Sequence, residues 1–213
     1  MIRDLVPAAL MSLEVSLVAT VLAATLGIPL GAALEAFRFR GRDGLVIIAN
    51  TLMATPTVLI GLLVYWTLSR RGPLGVLEML YTPGAMIAGE TLLALPLVIA
   101  LTRAAVETVD PLARETARTL RLGRVRTVSL LVREARPGIT AAVLSAYGRV
   151  VSELGIALMV GGNVRGETRT LTTAMTLATQ RGDFQSATAL GLVLLVLALG
   201  VVLIAEILRR VRA

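Results

Sequence analysis

The 213-residue chain has no cysteine, no histidine and no lysine, so all 21 of its basic residues are arginines. Without His or Cys there is no zinc, haem or iron-sulfur site of the usual ligand types, no Ser/His/Asp triad and no Cys/His nucleophile. Without lysine there is no P-loop, whose lysine must reach the nucleotide phosphates, so ATP that drives this protein is hydrolysed on another chain. The expectation is a chain that is no enzyme, with no catalytic residue, metal or bound cofactor of its own. Charged residues are also sparse, at 16%, and no polar segment is long enough for a separate soluble domain.

What is abundant is apolar: 56% of residues, with a mean hydropathy of +0.82, outside the range of soluble domains. A run of about 18 or more apolar residues is a candidate span, because roughly 20 cross the hydrocarbon core. About five such segments occur, at 7–34, 45–68, 85–105, 139–160 and 187–208. The first is too long for a signal-peptide core and continues through Gly27-Ile28-Pro29-Leu30-Gly31, so it is kept as a helix. Gly27 and Gly31 make a small-xxx-small face suited to close helix contact. The fold class read from this pattern is an all-α integral membrane protein with a single transmembrane domain over 1–213.

Arginine placement sets the orientation. Thirteen arginines (38, 40, 42, 114, 118, 121, 124, 126, 133, 136, 209, 210 and 212) fall on one side, and six (3, 70, 71, 165, 169 and 181) on the other. Cytoplasmic loops carry the excess, which puts the N-terminus outside and the C-terminus in the cytoplasm. The sequence pI of 11.2 does not call for nucleic acid, since the charge sits in separate loops rather than one stripe.

The loop at about 107–137 is too long for a simple connection and reads as helix. Asp110-Pro111 has the form of an N-cap followed by proline at the first helical position, with Glu115 early in the helix where it suits the dipole. Leu112, Ala113, Ala117 and Leu120 give a small-to-apolar face among arginines. Two readings stand: a solvated positive loop, or a docking helix.

Glu115-Thr116-Ala117 after Asp110-Pro111 resembles the EAA loop of ABC-importer permeases, which implies the type I ABC-importer (MetI-like) fold. In that family this helix inserts into a groove on the ATPase subunit. The resemblance assigns ATPase coupling to Asp110, Pro111, Leu112, Arg114, Glu115, Thr116, Ala117, Arg118, Leu120 and Gly123. The family glycine usually lies six residues after the glutamate; here Arg121 stands there, and the nearest glycine is Gly123.

A second set of segments includes Gly148-Arg149-Val150-Val151-Ser152-Glu153-Leu154-Gly155, Gly161-Gly162-Asn163-Val164-Arg165-Gly166 and Thr168 to Thr173. These resemble the oxyanion branch of such permeases, which carries molybdate, tungstate and sulfate, and the detail of Arg133-Glu134-Ala135-Arg136 and Leu171-Thr172-Thr173-Ala174 is nearest tungstate permeases. The implied function is the permease subunit of an ATP-driven oxyanion importer. Its implied partners are a second copy of itself, two ATPase subunits that bind the ATP and Mg, an extracytoplasmic binding protein and the bilayer. Permeation of molybdate, sulfate or another solute is the alternative within the class. A membrane scaffold recruiting a cytoplasmic partner is the alternative outside it.

Arg149 and Glu153 fall inside the expected fourth span, where charges cost about 2.5–3.5 kcal/mol each on insertion scales. Four residues apart on one helical face, they are expected to pair, either as a packing lock or as part of a path. With Gly161, Gly162 and Asn163 they are the candidate pathway or gate residues. Gly161-Gly162 is expected to end the fourth helix, a short helix is expected near 171–178, and Gly182-Asp183 to restart the fifth span.

Overall fold

The computed structural model describes residues 2–211, with side chains described for 5–207 apart from Arg118. Expectations resting on the side chains of Arg3, Arg118, Arg209, Arg210 and Arg212 lie outside the described residues. The elements are α1 (Ile2–Ala36), α2 (Arg42–Met53), α3 (Thr57–Leu68), α4 (Pro83–Glu107), α5 (Pro111–Thr119), α6 (Arg124–Glu134), α7 (Arg136–Val151), α8 (Leu171–Gln180) and α9 (Phe184–Val211). A 3₁₀ turn at Gly75–Leu77 and a π turn at Ala157–Gly161 complete the list, and among the described residues no strand occurs.

Three helices are long and apolar enough to span a membrane: Leu5–Ala36, Pro83–Glu107 and Phe184–Ile207. The expected second span is not one helix but two short ones, α2 and α3, broken before Thr57, so three continuous spans are present among the described residues, or four if this pair is taken as one. Pro56 is the cause: it sits at the N-cap of α3, where it has no N–H to give a continuing helix. The expected fourth span, 139–160, is not one helix. It stops at Val151 and resumes as the π turn, so the reading of about five spans exceeds what continuous helices provide.

The chain folds as two compact units, Met1–Ala19, Pro56–Glu90 and Gly148–Ala213 in one, Thr20–Thr55 and Thr91–Tyr147 in the other. In the first, Ala8 of α1, Leu171 of α8 and Leu190 of α9 form a buried cluster. Ser12 on α1 accepts the Leu171 N–H at 2.8 Å. α8 opens on a reciprocal cap between Thr170 and Thr173. Gly182, at φ 74°, turns the chain into α9, and Asp183 accepts the Ser186 N–H at 3.0 Å. Hydrogen bonds from the Ser186 hydroxyl and N–H hold the Asp183 carboxyl below its ordinary range. The expected short helix and restart of the last span are both present.

In the second unit the later half of α1 lies against α4. A Cβ on Gly31 would come within 2.5 Å of the Ile99 carbonyl oxygen, and one on Gly27 within 2.8 Å of Val98 Cγ1. The expected small-residue face is therefore the contact between these helices. Ala32, Val106, Leu131, Ala135 and Ile139 close a core joining α1, α4, α6 and α7.

Gly31→Ala should lower the stability of the detergent-solubilised protein by about 1–3 kcal/mol, the usual cost of overpacking, seen as a lower unfolding temperature. Gly44→Ala in α2, where a new Cβ meets nothing within 4 Å, should be neutral or stabilising by up to about 1 kcal/mol.

Candidate functional site

Two regions collect the residues singled out by sequence. The first is the α4–α5–α6 corner. Asp110 caps α5 by accepting the Leu112 N–H at 2.8 Å, and Pro111 is the first helical residue, both as expected. Leu112, Glu115, Thr116, Thr119 and Leu120 are exposed, while Ala117 is buried and Ala113 and Arg114 are half-buried. The expected apolar face is therefore divided: Ala117 is buried, whereas Leu112 and Leu120 are 65% and 63% exposed.

The turn after α5 explains Arg121. Its φ is 49°, the left-handed conformation that glycine adopts freely and an L side chain enters at a cost of roughly 1–2 kcal/mol. The Leu122 N–H returns to the Ala117 carbonyl at 3.0 Å, closing the helix as a left-handed C-terminal cap does. Arginine here keeps the shape of the glycine turn. Gly123, at φ −64°, serves instead as the N-cap of α6.

Behind α5 lies a residue that sequence reading missed. Glu35, at the end of α1, pairs with Arg42 of α2 at 2.9 Å, Arg103 of α4 at 3.3 Å and Arg114 of α5 at 3.3 Å. Arg42 also donates to the Leu34 carbonyl at 2.6 Å, and Arg114 to the Val106 carbonyl at 3.0 Å. Both carbonyls lie in the last turns of their helices, where cations are favoured; that of Val106 also accepts the Val109 N–H at 3.2 Å. One carboxylate thus ties four helices together, and Arg114 fixes the inner side of α5 to the ends of α1 and α4. The available signal was an acid at the end of the first apolar run, just before three arginines.

The second region is the break after α7. The Arg149–Glu153 pairing does not form, because α7 ends at Val151 and the two residues no longer share a helical face. Arg149 is exposed and has no ion pair among the described residues. Glu153 is 6% exposed and its Oε1 accepts the N–H groups of Gly155 at 2.7 Å and Ile156 at 3.3 Å. It caps the next turn. Thr172 of α8 donates to the Glu153 carbonyl at 3.0 Å. The Gly155 and Ile156 N–H groups and the Glu153 carbonyl are thereby answered from within the unit.

Gly161 and Gly162 end the π turn as expected, Gly162 at φ 68°. A Cβ on Gly161 would meet Met86 Sδ at 2.7 Å, and one on Gly162 the Tyr81 ring at 2.6 Å. Tyr81 N–H donates to the Val160 carbonyl at 2.8 Å. Asn163, at φ 53°, is held by Arg169 through its side-chain oxygen at 3.0 Å and its carbonyl at 3.3 Å. A further acid also went unmarked: Glu90 of α4 is 3% exposed, and its Oε2 has no hydrogen-bond partner among the described residues. It neighbours the break, since a Cβ on Gly89 would lie 2.6 Å from Ile156 Cγ2. An acid inside an apolar run is itself a functional signal. Among the described residues no group of three or more metal-ligating side chains converges.

Comparison with known proteins places the chain in a family and a fold. Residues 5–212 match the family described as binding-protein-dependent transport system inner membrane component. The chain is 43% identical over 195 residues to a probable anion ABC transporter permease protein of Haloferax volcanii, covering 89% of this chain and 84% of that one. It is 37% identical over 191 residues to the tungstate uptake system permease protein TupB of Peptoclostridium acidaminophilum, covering 90% and 84%. In fold it matches a chain of the MetNI methionine ABC transporter, solved in inward facing conformations, with a TM-score of 0.82, 18% identity and coverage of 100% and 98%.

Glu35→Ala should destabilise by about 2 kcal/mol. Removing one partner of a buried pair costs about 3–5 kcal/mol, discounted because the three arginines retain 22–30% side-chain exposure; chemical or thermal unfolding in detergent measures it. Arg121→Gly should act in the opposite direction, gaining about 1 kcal/mol by relieving the left-handed turn.

Proposed function

The chain belongs to the family of inner membrane components of binding-protein-dependent transport systems, and on that premise we propose that it is the permease subunit of an ATP-driven importer of a tetrahedral oxyanion, tungstate. Two copies form the path, two ATPase subunits dock on the cytoplasmic side, and an extracytoplasmic binding protein delivers the anion. The whole chain acts as one transmembrane domain in the inner membrane, N-terminus outside and C-terminus inside, with the 107–137 segment as the docking loop. ATP and Mg are held and hydrolysed on the partner ATPase, and this chain is non-catalytic.

The observation that carries the coupling role is the two-sidedness of α5. It exposes Leu112 and Glu115, and Leu120 just past its end is exposed as well, an acid and two apolar side chains suited to a groove in a partner. Its inner face is pinned by Arg114 to Glu35 and Val106. A push on the outer face therefore reaches α1 and α4 through fixed contacts. The substrate rests on the anion and tungstate permeases that are 43% and 37% identical to it over the 195 and 191 aligned residues; molybdate is the second reading.

For the path, the supporting features are a broken helix and an exposed arginine. Irregular backbone at membrane depth is tolerated where it is buried in protein or lines a water-filled cavity. Arg149, exposed and without an ion-pair partner, requires water or a second copy of the chain rather than lipid. Arg149, Glu153, Gly161, Gly162 and Asn163 accordingly line or gate the path.

ATP hydrolysis by the reconstituted complex tests this reading. Tungstate-loaded binding protein should stimulate it, and Glu115→Ala should cut that stimulation about tenfold or more, the loss of one charge-assisted contact. Hydrolysis that ignores both the loaded protein and the substitution overturns the coupling role, and stimulation by molybdate alone moves the substrate to the second reading.

A further inference from the structure

At the end of α1 lies an open cleft of about 670 Å³ whose lining includes Glu35, Phe37, Arg38, Arg42, Arg114 and Arg124, Arg38 and Arg124 being exposed. Four arginines and one carboxylate thus share the lining. Glu35 already holds Arg42 and Arg114, while Arg38 and Arg124 have no carboxylate partner among the described residues. Arg124 lies over the Phe37 ring, 6.0 Å from its centroid, which orients its donors by cation–π attraction. Planar guanidinium forks held this way match phosphate oxygens two at a time.

A second cleft in the same unit separates a free anion from a lipid. About 290 Å³ in volume, it is lined almost wholly by aliphatic side chains, among them Leu30 and Leu34 of α1, Leu45 and Ile48 of α2, and Pro96 and Ile99 of α4. Leu34 directly precedes Glu35, and Leu45 lies about one turn past Arg42. The arginine cleft and the apolar groove therefore follow one another along the same two helices. The arginine cleft sits where the apolar stretch Leu5–Ala36 ends, the level of a headgroup rather than of a soluble partner.

We propose that the Arg38/Arg124 cleft binds the phosphate headgroup of an anionic phospholipid, with an acyl chain in the adjoining Leu30–Leu34–Leu45–Ile48 groove. The headgroup joins the 37–41 turn to α5 through Arg114 and to α6 through Arg124, and so braces the docking helix from behind. The bracing role and the choice of the cytoplasmic leaflet rest on the function proposed above; the binding itself does not.

The test is native mass spectrometry of the permease–ATPase complex released from nanodiscs of equal parts phosphatidylglycerol and phosphatidylcholine. Wild type should retain phosphatidylglycerol in preference to phosphatidylcholine, and Arg38→Gln/Arg124→Gln should lower that retention about tenfold or more. Both side chains lie outside the Glu35 cluster, so the complex should still assemble. Arg70→Gln/Arg71→Gln, an equal loss of charge in the other unit, should retain lipid as wild type does. Equal retention by all three proteins overturns the site, as does an equal loss in both variants, which signals bulk charge alone. Displacement of the lipid by inorganic phosphate or tungstate overturns it in favour of a free-anion site. The readout is lipid mass, so normal stimulation of ATP hydrolysis without retained lipid removes this inference and leaves the proposed function standing.

Discussion

Hydrocarbon offers no hydrogen bonds, so a chain that interrupts its own helices inside a membrane must supply a partner for every N–H and C=O it frees. That constraint governs the α7 break. Glu153 turns back to cap the Gly155 and Ile156 N–H groups, and Thr172 reaches the Glu153 carbonyl. Thr168 donates to the Gly161 carbonyl and accepts the Val164 N–H, and Ser12 takes the first N–H of α8. Short hydroxyl side chains and one carboxylate do the work that water does in a soluble loop. The threonine-rich composition of 168–173 follows from this need, and the irregular segment can exist at depth only because those residues surround it.

The α4–α5–α6 corner answers a different demand. Helix ends that leave the membrane expose carbonyls and gather arginines, which repel one another unless an acid is placed among them. Glu35 is that acid. An isolated exposed ion pair contributes little, but a carboxylate of 10% side-chain exposure shared among three guanidinium groups fixes their positions, and with them the ends of the helices that carry them. The strain at Arg121 is tolerated beside this anchor, since α5 is held by Arg114 as well as by its own final turn.

Much of this was legible in the sequence where the signal is local. Asp110-Pro111, the Gly27/Gly31 face, the cap at Gly182-Asp183 and the short helix after Thr170 rest on neighbouring residues with strong conformational preferences, and each is present. The long apolar runs gave the all-α membrane fold. The α7 break was not legible because a hydropathy window averages across the few residues after Val151, and the inferred Arg149–Glu153 pair assumed the continuous helix that the break removes. Glu35 escaped for another reason: its partners lie 7 residues away at Arg42 and 79 away at Arg114, and no local pattern joins them. Glu90 did carry a signal, an acid inside the third apolar run, but its neighbourhood depends on Ile156, far along the chain.

α9 leads to a further consequence. Its apolar stretch Phe184–Ile207 is 24 residues long; Leu190 packs inside the first unit, while Leu192, Leu195, Val196, Leu199, Leu203 and Ile204 are exposed and make one aliphatic face along most of the helix. At 1.5 Å per residue it measures about 36 Å against a hydrocarbon thickness of about 30 Å. A cylinder longer than the slab it crosses leans or thickens the slab around it. α9 is thus a ruler laid across the bilayer, and the thickness of the host membrane becomes a mechanical input to the protein, read as the angle at which its last helix stands.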